Sequence, residues 1–126
     1  MKQGLAYEHR VAKYLQLELN DTHEILHGQW ILYDTKYCQP DLICIPFKKG
    51  VPILLIEVKL TFTPHAEYKL HTLYLPLVRK LYPFRRFLTL QICKNLIPQV
   101  NPGPLLHIDD IPHNVKGLYN VIHFLS

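Results

Sequence analysis

The run LLIEVKL, residues 54–60, carries one carboxylate and one ammonium, Glu57 and Lys59, in an otherwise apolar stretch. Side chains alternate across a strand, so the two charges share a face. Packing of Leu, Ile and Val requires neither. The preceding stretch DLICIPF, 41–47, adds a second carboxylate. Its connection to the next strand, Lys48-Lys49-Gly50, suits a three-residue hairpin loop with Gly50 in the left-handed position. That closure pairs Phe47 with Val51, Ile45 with Ile53, Ile43 with Leu55 and Asp41 with Glu57. A two-residue loop would slip the register by one and send Asp41 to the other face. In the favoured register Asp41, Glu57 and Lys59 emerge together at the end of the hairpin far from its turn.

Two carboxylates facing each other across paired strands repel by about 4 kcal/mol at an effective dielectric of about 20. A cation between them, or a proton on one of them, relieves this. Lys59 supplies one positive charge and a divalent metal supplies two. Aspartate and glutamate oxygens suit Mg²⁺, which takes a few carboxylates together with waters and phosphate oxygens. A third carboxylate, Glu8, falls on the helical stripe Leu5, Ala12, Leu15 and Leu19 and is expected to face inward, where a glutamate needs a partner. The bland alternative is a strand-end salt bridge, Glu57–Lys59, with Asp41 as a turn residue after Pro40. The spacing acid-x-Lys discriminates little by itself, since Asp34-Thr35-Lys36 and Glu67-Tyr68-Lys69 share it. Glu67 and Lys69 fall on an expected helix, where residues two apart diverge. Asp34 and Lys36 fall where a strand exits into a loop. Only Glu57–Lys59 lies late in an apolar strand with an acid placed opposite.

The elements that must hold these groups follow from periodicity. Residues Lys2 to Leu19 read as a helix, broken by NDTHE. GQWILYD, 28–34, reads as a first strand, followed by the two strands of the hairpin. Thr63 is the expected N-cap and Pro64 the first residue of a second helix, which Pro76 should kink or split. RFLTLQICK reads as a fourth strand, reached across that helix and so expected parallel to the third. Four prolines between 98 and 112 make the tail loop-rich, and GLYNVIHFL closes the chain as a strand or a helix. The expected architecture is α/β, in the order α-β-β-β-α-β: a mixed β-sheet flanked by helices, in a single domain spanning 1–126.

Composition narrows the partners. No apolar stretch approaches the ~18–20 residues of a membrane span, and the N-terminus is charged where a signal peptide is apolar. Three cysteines, an odd number without C-x-x-C spacing, fit neither a disulfide framework nor a cysteine zinc site, which favours a cytoplasmic setting. The eight histidines are scattered and suggest no ligand cluster. A net charge of +4 points mildly to a polyanion. Arg79, Lys80, Arg85 and Arg86 are interleaved with Tyr82, Phe84 and Phe87, a pattern suited to phosphate contacts beside stacked bases and equally to a solvated helix end. With Lys13 and Lys36 these cations are the candidate nucleic-acid contacts.

QPDLICIPFKKGVPILLIEVKL resembles the PD-(D/E)xK motif of the restriction-endonuclease-like nuclease superfamily: Pro40-Asp41, a fifteen-residue gap, then Glu57-Val58-Lys59. GLAYEHRVAKYL is similar to that superfamily's first helix, with Glu8 as its inward glutamate. The resemblance covers roughly residues 4–94, leaving 95–126 as a Pro-rich extension, and the compact size is similar to that of Holliday-junction resolvases and small phage or repair nucleases. It implies a restriction-endonuclease-like core and Mg²⁺-dependent hydrolysis of DNA phosphodiesters, with Mn²⁺ able to substitute. Asp41, Glu57, the Val58 backbone carbonyl and Glu8 would be metal ligands, and Lys59 a catalytic cation. It implies no organic cofactor, no membrane, and a monomer or homodimer of cellular or phage origin. One departure stands out: members with exonuclease activity carry a glutamine and a tyrosine on the helix after the lysine strand. Here HTLY places His71 where the glutamine would be and keeps Tyr74, both possible DNA contacts. The chain therefore reads first as an endonuclease, then as an exonuclease or RNA-cutting enzyme, then as a non-catalytic nucleic-acid-binding or assembly protein.

Overall fold

A computed structural model describes residues 3–95 and the backbone of 119–125. Helix α1 (Gln3–Leu19) buries Tyr7, Val11, Ala12, Leu15 and Leu19, a stripe at steps of three and four. Leu5, expected on that stripe, is exposed, and Tyr7 takes the inward place instead. The helix closes with the Thr22 N–H and hydroxyl both donating to the Leu19 carbonyl, at 3.0 and 3.3 Å.

The chain then enters β1 (His23–His27) directly, so the first strand of the sheet is not the expected 28–34. Gly28 explains where that strand stops. Its φ of +62° is a conformation that L side chains adopt with strain, and it turns the chain out of the sheet. The residues that follow form a separate hairpin, β2 (Ile31–Tyr33) with β3 (Lys36–Cys38), closed by Asp34 and Thr35 with Asp34 at φ 59°. The main sheet resumes with β4 (Leu42–Pro46) and β5 (Ile53–Thr61). Their antiparallel pairing of Leu42, Ile43 and Cys44 with Ile56, Leu55 and Leu54 is the expected register. The turn is not the expected one. The ladder ends at Cys44 and Leu54, because Pro46 and Pro52 have no N–H to extend it. Phe47 and Val51 are therefore not paired, and Gly50 has no positive φ. A turn from Lys48 to Val51 closes the loop, with the Val51 N–H donating to the Lys48 carbonyl at 3.3 Å.

Thr63 caps α2 (Pro64–Lys69) through its hydroxyl, which accepts from the His65 N–H, with Pro64 in the first turn. Pro76 does split the helix. A π-helical turn, Leu70–Tyr74, is followed by α3 (Leu75–Leu81), with Pro76 in its first turn. Proline cannot donate to the carbonyl four residues back. Here the ladder widens instead, the Leu75 N–H reaching the Leu70 carbonyl five residues back. Strand β6 (Phe87–Asn95) then pairs parallel with β5, as expected. The closing segment is a strand, β7 (Tyr119–Leu125), antiparallel to β6. The Pro-rich loop expected before it lies outside the described residues.

The sheet order is β1-β4-β5-β6-β7, a mixed sheet with β5 at its centre. Side chains at 42, 44, 54, 56, 58, 88, 90 and 92 pack under α1, and Ile43, Ile53, Leu55 and Phe87 pack under the π turn and α3. The result is a layered α/β sandwich in which both faces of β5 are covered, as its nearly continuous apolar sequence requires. All three cysteines are buried and unlinked. Among the described residues no helix is long and apolar enough to cross a membrane.

Candidate active site

The expected register brings Asp41 and Glu57 together where the β4–β5 ladder runs out. The two side chains interlock with backbone. The Asp41 N–H donates to Glu57 Oε1 at 3.2 Å, and the Val58 N–H donates to Asp41 Oδ2 at 2.8 Å. Each carboxylate thus replaces a ladder bond that the diverging strands no longer make. On the other side, the Gly28 N–H donates to the Asp41 carbonyl at 3.0 Å, which ties the exit of β1 to the same point.

Glu8 on α1 reaches hydrogen-bonding distance of the Asp41 carboxyl and also meets His27, the last residue of β1, at 3.0 Å. It is half-buried at the margin of the α1 stripe. Lys59 Nζ lies 3.9 Å from Glu57 Oε2; the lysine side chain is 38% exposed and the glutamate 2%. The structure therefore gathers Glu8, Asp41, Glu57 and Lys59 around one end of the central strand.

Two further residues close over them from the helical layer. Lys69 hydrogen-bonds the side chain of Tyr74, with its Nζ 5.3 Å from the ring centroid, and its charge acts on both Glu57 and Asp41. Lys69, set aside in the sequence because helical spacing separates it from Glu67, thus belongs to the site through a different partner. The signal was Pro76. By widening the preceding turn it brings together residues five apart, Lys69 and Tyr74. Single-turn π segments of this kind recur at functional sites.

Electrostatically the acids lack sufficient countercharge. Burial, then repulsion from Glu57, pushes Asp41 up to about 8, with Glu8 adding to the rise and the Val58 N–H opposing it. Glu57 is likewise raised, by burial first and then by Glu8, while the Asp41 N–H, Lys59 and Lys69 pull the other way. Tyr74 is raised mainly by burial. Lys69 is raised chiefly by its bond to Tyr74, and the two carboxylates add to the effect. Such a pair holds its charge poorly alone and gains from a hard divalent cation. The convergent donors, the Asp41, Glu57 and Glu8 carboxylates, are all oxygen, and so fit Mg²⁺ or Mn²⁺.

The expected nucleic-acid contacts divide. Lys13, Lys36, Arg79, Lys80 and Arg86 have exposed side chains. Lys80 Nζ stands 4.8 Å above the Tyr33 ring, which joins α3 to the β2–β3 hairpin. Arg85 Nη2 donates to the Pro46 and Lys48 carbonyls at 3.1 and 3.4 Å, so its guanidinium fastens the β4–β5 loop instead of standing ready for phosphate. Phe87 is fully buried and cannot stack on a base, whereas Phe84 is almost fully exposed. His71 faces the sheet, its Nε2 3.4 Å from Thr89 Oγ1, and Tyr74 is buried beside Lys69.

One grouping was missed. Glu8, His9 and His27 place one ligand atom each within 4.8 Å of one another, contrary to the expectation that the histidines form no cluster. With 28–34 taken as the first strand, His27 fell in a loop, and nothing linked it to α1.

Comparison with protein-family models, with curated protein sequences and with solved structures gives no match.

Proposed function

We propose that this chain is a Mg²⁺-dependent nuclease that hydrolyses phosphodiester bonds in DNA, acting as an endonuclease on a restriction-endonuclease-like core. The observation that carries the reading is the interlocked Asp41–Glu57 pair, joined by Glu8 and Lys59 at the open end of the central strand. The order of elements supports it as well. Setting the β2–β3 hairpin aside, the chain runs helix, three-strand antiparallel meander, helical crossover, parallel strand. That is the order the PD-(D/E)xK resemblance implies.

In this reading Asp41 and Glu57 supply carboxylate oxygens to the cation, with the Val58 main-chain carbonyl beside them. A divalent ion held by these residues would supply polarisation of the scissile phosphate and a lowered pKa for a water molecule. The chain's own groups do the rest. The Val58 N–H fixes the Asp41 carboxylate in one orientation. Lys59, anchored loosely by Glu57 and still partly exposed, offers its ammonium to charge that develops on the phosphate, a preorganised electrostatic role. Lys69 and Tyr74 hold a second positive charge over the acids, which limits repulsion of the incoming polyanion. Lys36 and Lys80, exposed side by side where the β2–β3 hairpin meets α3, are candidates for contact with the flanking nucleic-acid backbone.

Incubation with supercoiled, linear, single-stranded and branched DNA, with Mg²⁺ or Mn²⁺ and with EDTA, tests the reading. Metal-dependent nicking of closed circles that is lost in Asp41→Asn is the expected result. A requirement for ends would make it an exonuclease, cutting of RNA alone would change the substrate, and binding without cutting under all metal conditions would overturn catalysis.

A further inference from the structure

We propose that Glu8, His9 and His27 form a second metal site, separate in chemistry from the oxygen-only acid pair and selective for a borderline transition ion such as Zn²⁺, Co²⁺ or Ni²⁺. The proposal does not depend on the nuclease reading. Its basis is a convergence of two elements. Glu8 and His9 are consecutive on α1, and His27 ends β1 directly before Gly28 turns the chain away. The three ligand atoms lie within 4.8 Å of one another. His27 Nε2 and Glu8 Oε2 are 3.0 Å apart, and the His9 and His27 rings meet edge-on with centroids 5.5 Å apart.

The donor set decides which ion fits. Mg²⁺ takes oxygen ligands and keeps several waters, so a site two-thirds imidazole suits it badly. Imidazole suits Zn²⁺, Cu²⁺, Ni²⁺ and Fe²⁺. Tetrahedral zinc holds nitrogen and carboxylate oxygen at about 2.0–2.2 Å, so its donors stand roughly 3.3 Å apart. The His27–Glu8 pair already meets that spacing. The His9 side chain is exposed on α1 with its ligand atom within 4.8 Å of the other two, and binding would require it to rotate about its own side-chain bonds to reach that spacing. Three protein ligands leave at least one position for water or an anion, as in sites that exchange ligands rather than closed structural sites. With side chains 27% and 21% exposed, His27 and Glu8 are shielded on one side by the α1–β1 contact and open to entry on the other.

The position also couples the site to its neighbour. Glu8 faces both His27 and Asp41, so an ion held by Glu8 changes the charge that Asp41 meets. Glu8, also one of the oxygen donors beside Asp41, would then be shared between the two ions, so a transition ion here leaves Asp41 and Glu57 to Mg²⁺ and draws on their third carboxylate.

Titrating the full chain, prepared without a histidine tag, with Co²⁺ in excess Mg²⁺ tests the proposal. One equivalent should bind with the visible absorption of low-coordinate, nitrogen-ligated Co²⁺, and Zn²⁺ should displace it. His9→Ala and His27→Ala should each weaken binding about tenfold or more. His65→Ala, at an exposed histidine on α2, should leave it unchanged, and melting curves establish that each variant is folded. No binding, binding that survives either α1–β1 substitution, or binding displaced by Mg²⁺ would overturn the proposal. DNA cleavage in Mg²⁺, measured alongside, separates the two readings. Cleavage without a Co²⁺ site sinks only this proposal, and a Co²⁺ site without cleavage sinks only the nuclease.

Discussion

The two faces of the central sheet are built to different specifications. Under α1 the strands present Leu42, Cys44, Leu54, Ile56, Val58, Leu88, Leu90 and Ile92, an unbroken apolar surface. Under α2, the π turn and α3 the same strands present Ile43, Ile53, Leu55 and Phe87, and then Glu57, Thr89 and Gln91, all three buried. Adjacent residues of one strand thus serve opposite ends. Ile56 packs and Glu57 carries charge into the interior. Buried polar groups cost stability unless they are bonded, so the second face gives up stability that the first provides. Placing α1 and the apolar face together leaves the polar strip free to gather at the helical crossover, where Lys69 and Tyr74 can reach it.

This contrast is tested first on the apolar face, where the largest change in stability is expected. Leu54→Ala removes a fully buried side chain and should lower stability by about 2–5 kcal/mol. Urea denaturation measures it. Cleavage per folded molecule should persist, because Leu54 faces away from the acids. A loss of turnover without loss of stability would break the division between faces.

Substitutions at the acids and amine should do the reverse. Lys59→Ala should reduce cleavage by at least about 10²-fold with little change in melting, since Lys59 is partly exposed and its pair with Glu57 is long. Asp41→Asn and Glu57→Gln should abolish Mg²⁺-dependent stabilisation while raising the stability of the metal-free protein at pH 8, because each removes a buried charge that lacks sufficient countercharge. Metal-titrated melting curves decide the matter, and wild-type cleavage by Lys59→Ala would remove that residue from the mechanism.

The same imbalance sets a pH dependence whose sign is opposite to that of an ordinary salt-bridged acid. Burial and the charge of Glu57 push Asp41 up to about 8 from its ordinary 3.8, so between those limits the folded pair holds a proton that the unfolded state has released. Stability is then fully present below about 4 and is lost as pH rises toward 8, by up to about 1.4 kcal/mol per pH unit for one proton. Asp41→Asn should flatten this fall, and saturating Mg²⁺ should oppose it by favouring the ionised form. Metal-free stability that increases from pH 5 to 8 would show that the acids are better compensated than their surroundings indicate.

Much of this face could be read from the chain, for identifiable reasons. The register expected from a three-residue loop ending in Gly50 placed Asp41 opposite Glu57, and that register holds although the turn takes another form and Gly50 has no positive φ. It depends on the number of residues between the strands and not on the conformation of Gly50. Thr63-Pro64 marked the start of α2 because cap chemistry is local. What failed was non-local or short. HEILH has only five residues, two of them histidine, and follows NDT, so neither period nor composition marks it as a strand. The stronger β-former run after Gly28 drew the assignment and belongs to a hairpin that pairs only with itself. Losing β1 lost His27, and with it the pairing to Glu8 and His9. Lys69 was missed because it was weighed only against Glu67, two residues away on the helix, and not against Tyr74 across the turn that Pro76 widens.

The smallest effect asked of the comparison concerns how the polar face is aimed. Gln91, beside Glu57 in the parallel register, grips Thr63 from both sides: its Oε1 accepts from the Thr63 N–H at 2.8 Å and its Nε2 donates to the Thr63 carbonyl at 3.0 Å. It therefore fixes where α2 begins, and α2 ends at Lys69. Thr63→Ala removes the cap to the His65 N–H and should cost about 1 kcal/mol, with turnover unchanged once folding is complete. Gln91→Ala removes both bonds to Thr63, each worth about 0.5–1.5 kcal/mol net, and the weaker one from the Cys93 thiol at 3.6 Å, so its loss of stability should be similar or greater. Its effect on cleavage should differ in kind. With the start of α2 released, Lys69 is no longer held over Glu57, and turnover should fall several-fold at saturating Mg²⁺. If Gln91→Ala and Thr63→Ala lower the melting temperature alike and leave turnover equally intact, the polar strip contributes only to packing at that point, and the line between the two faces ends at Glu57.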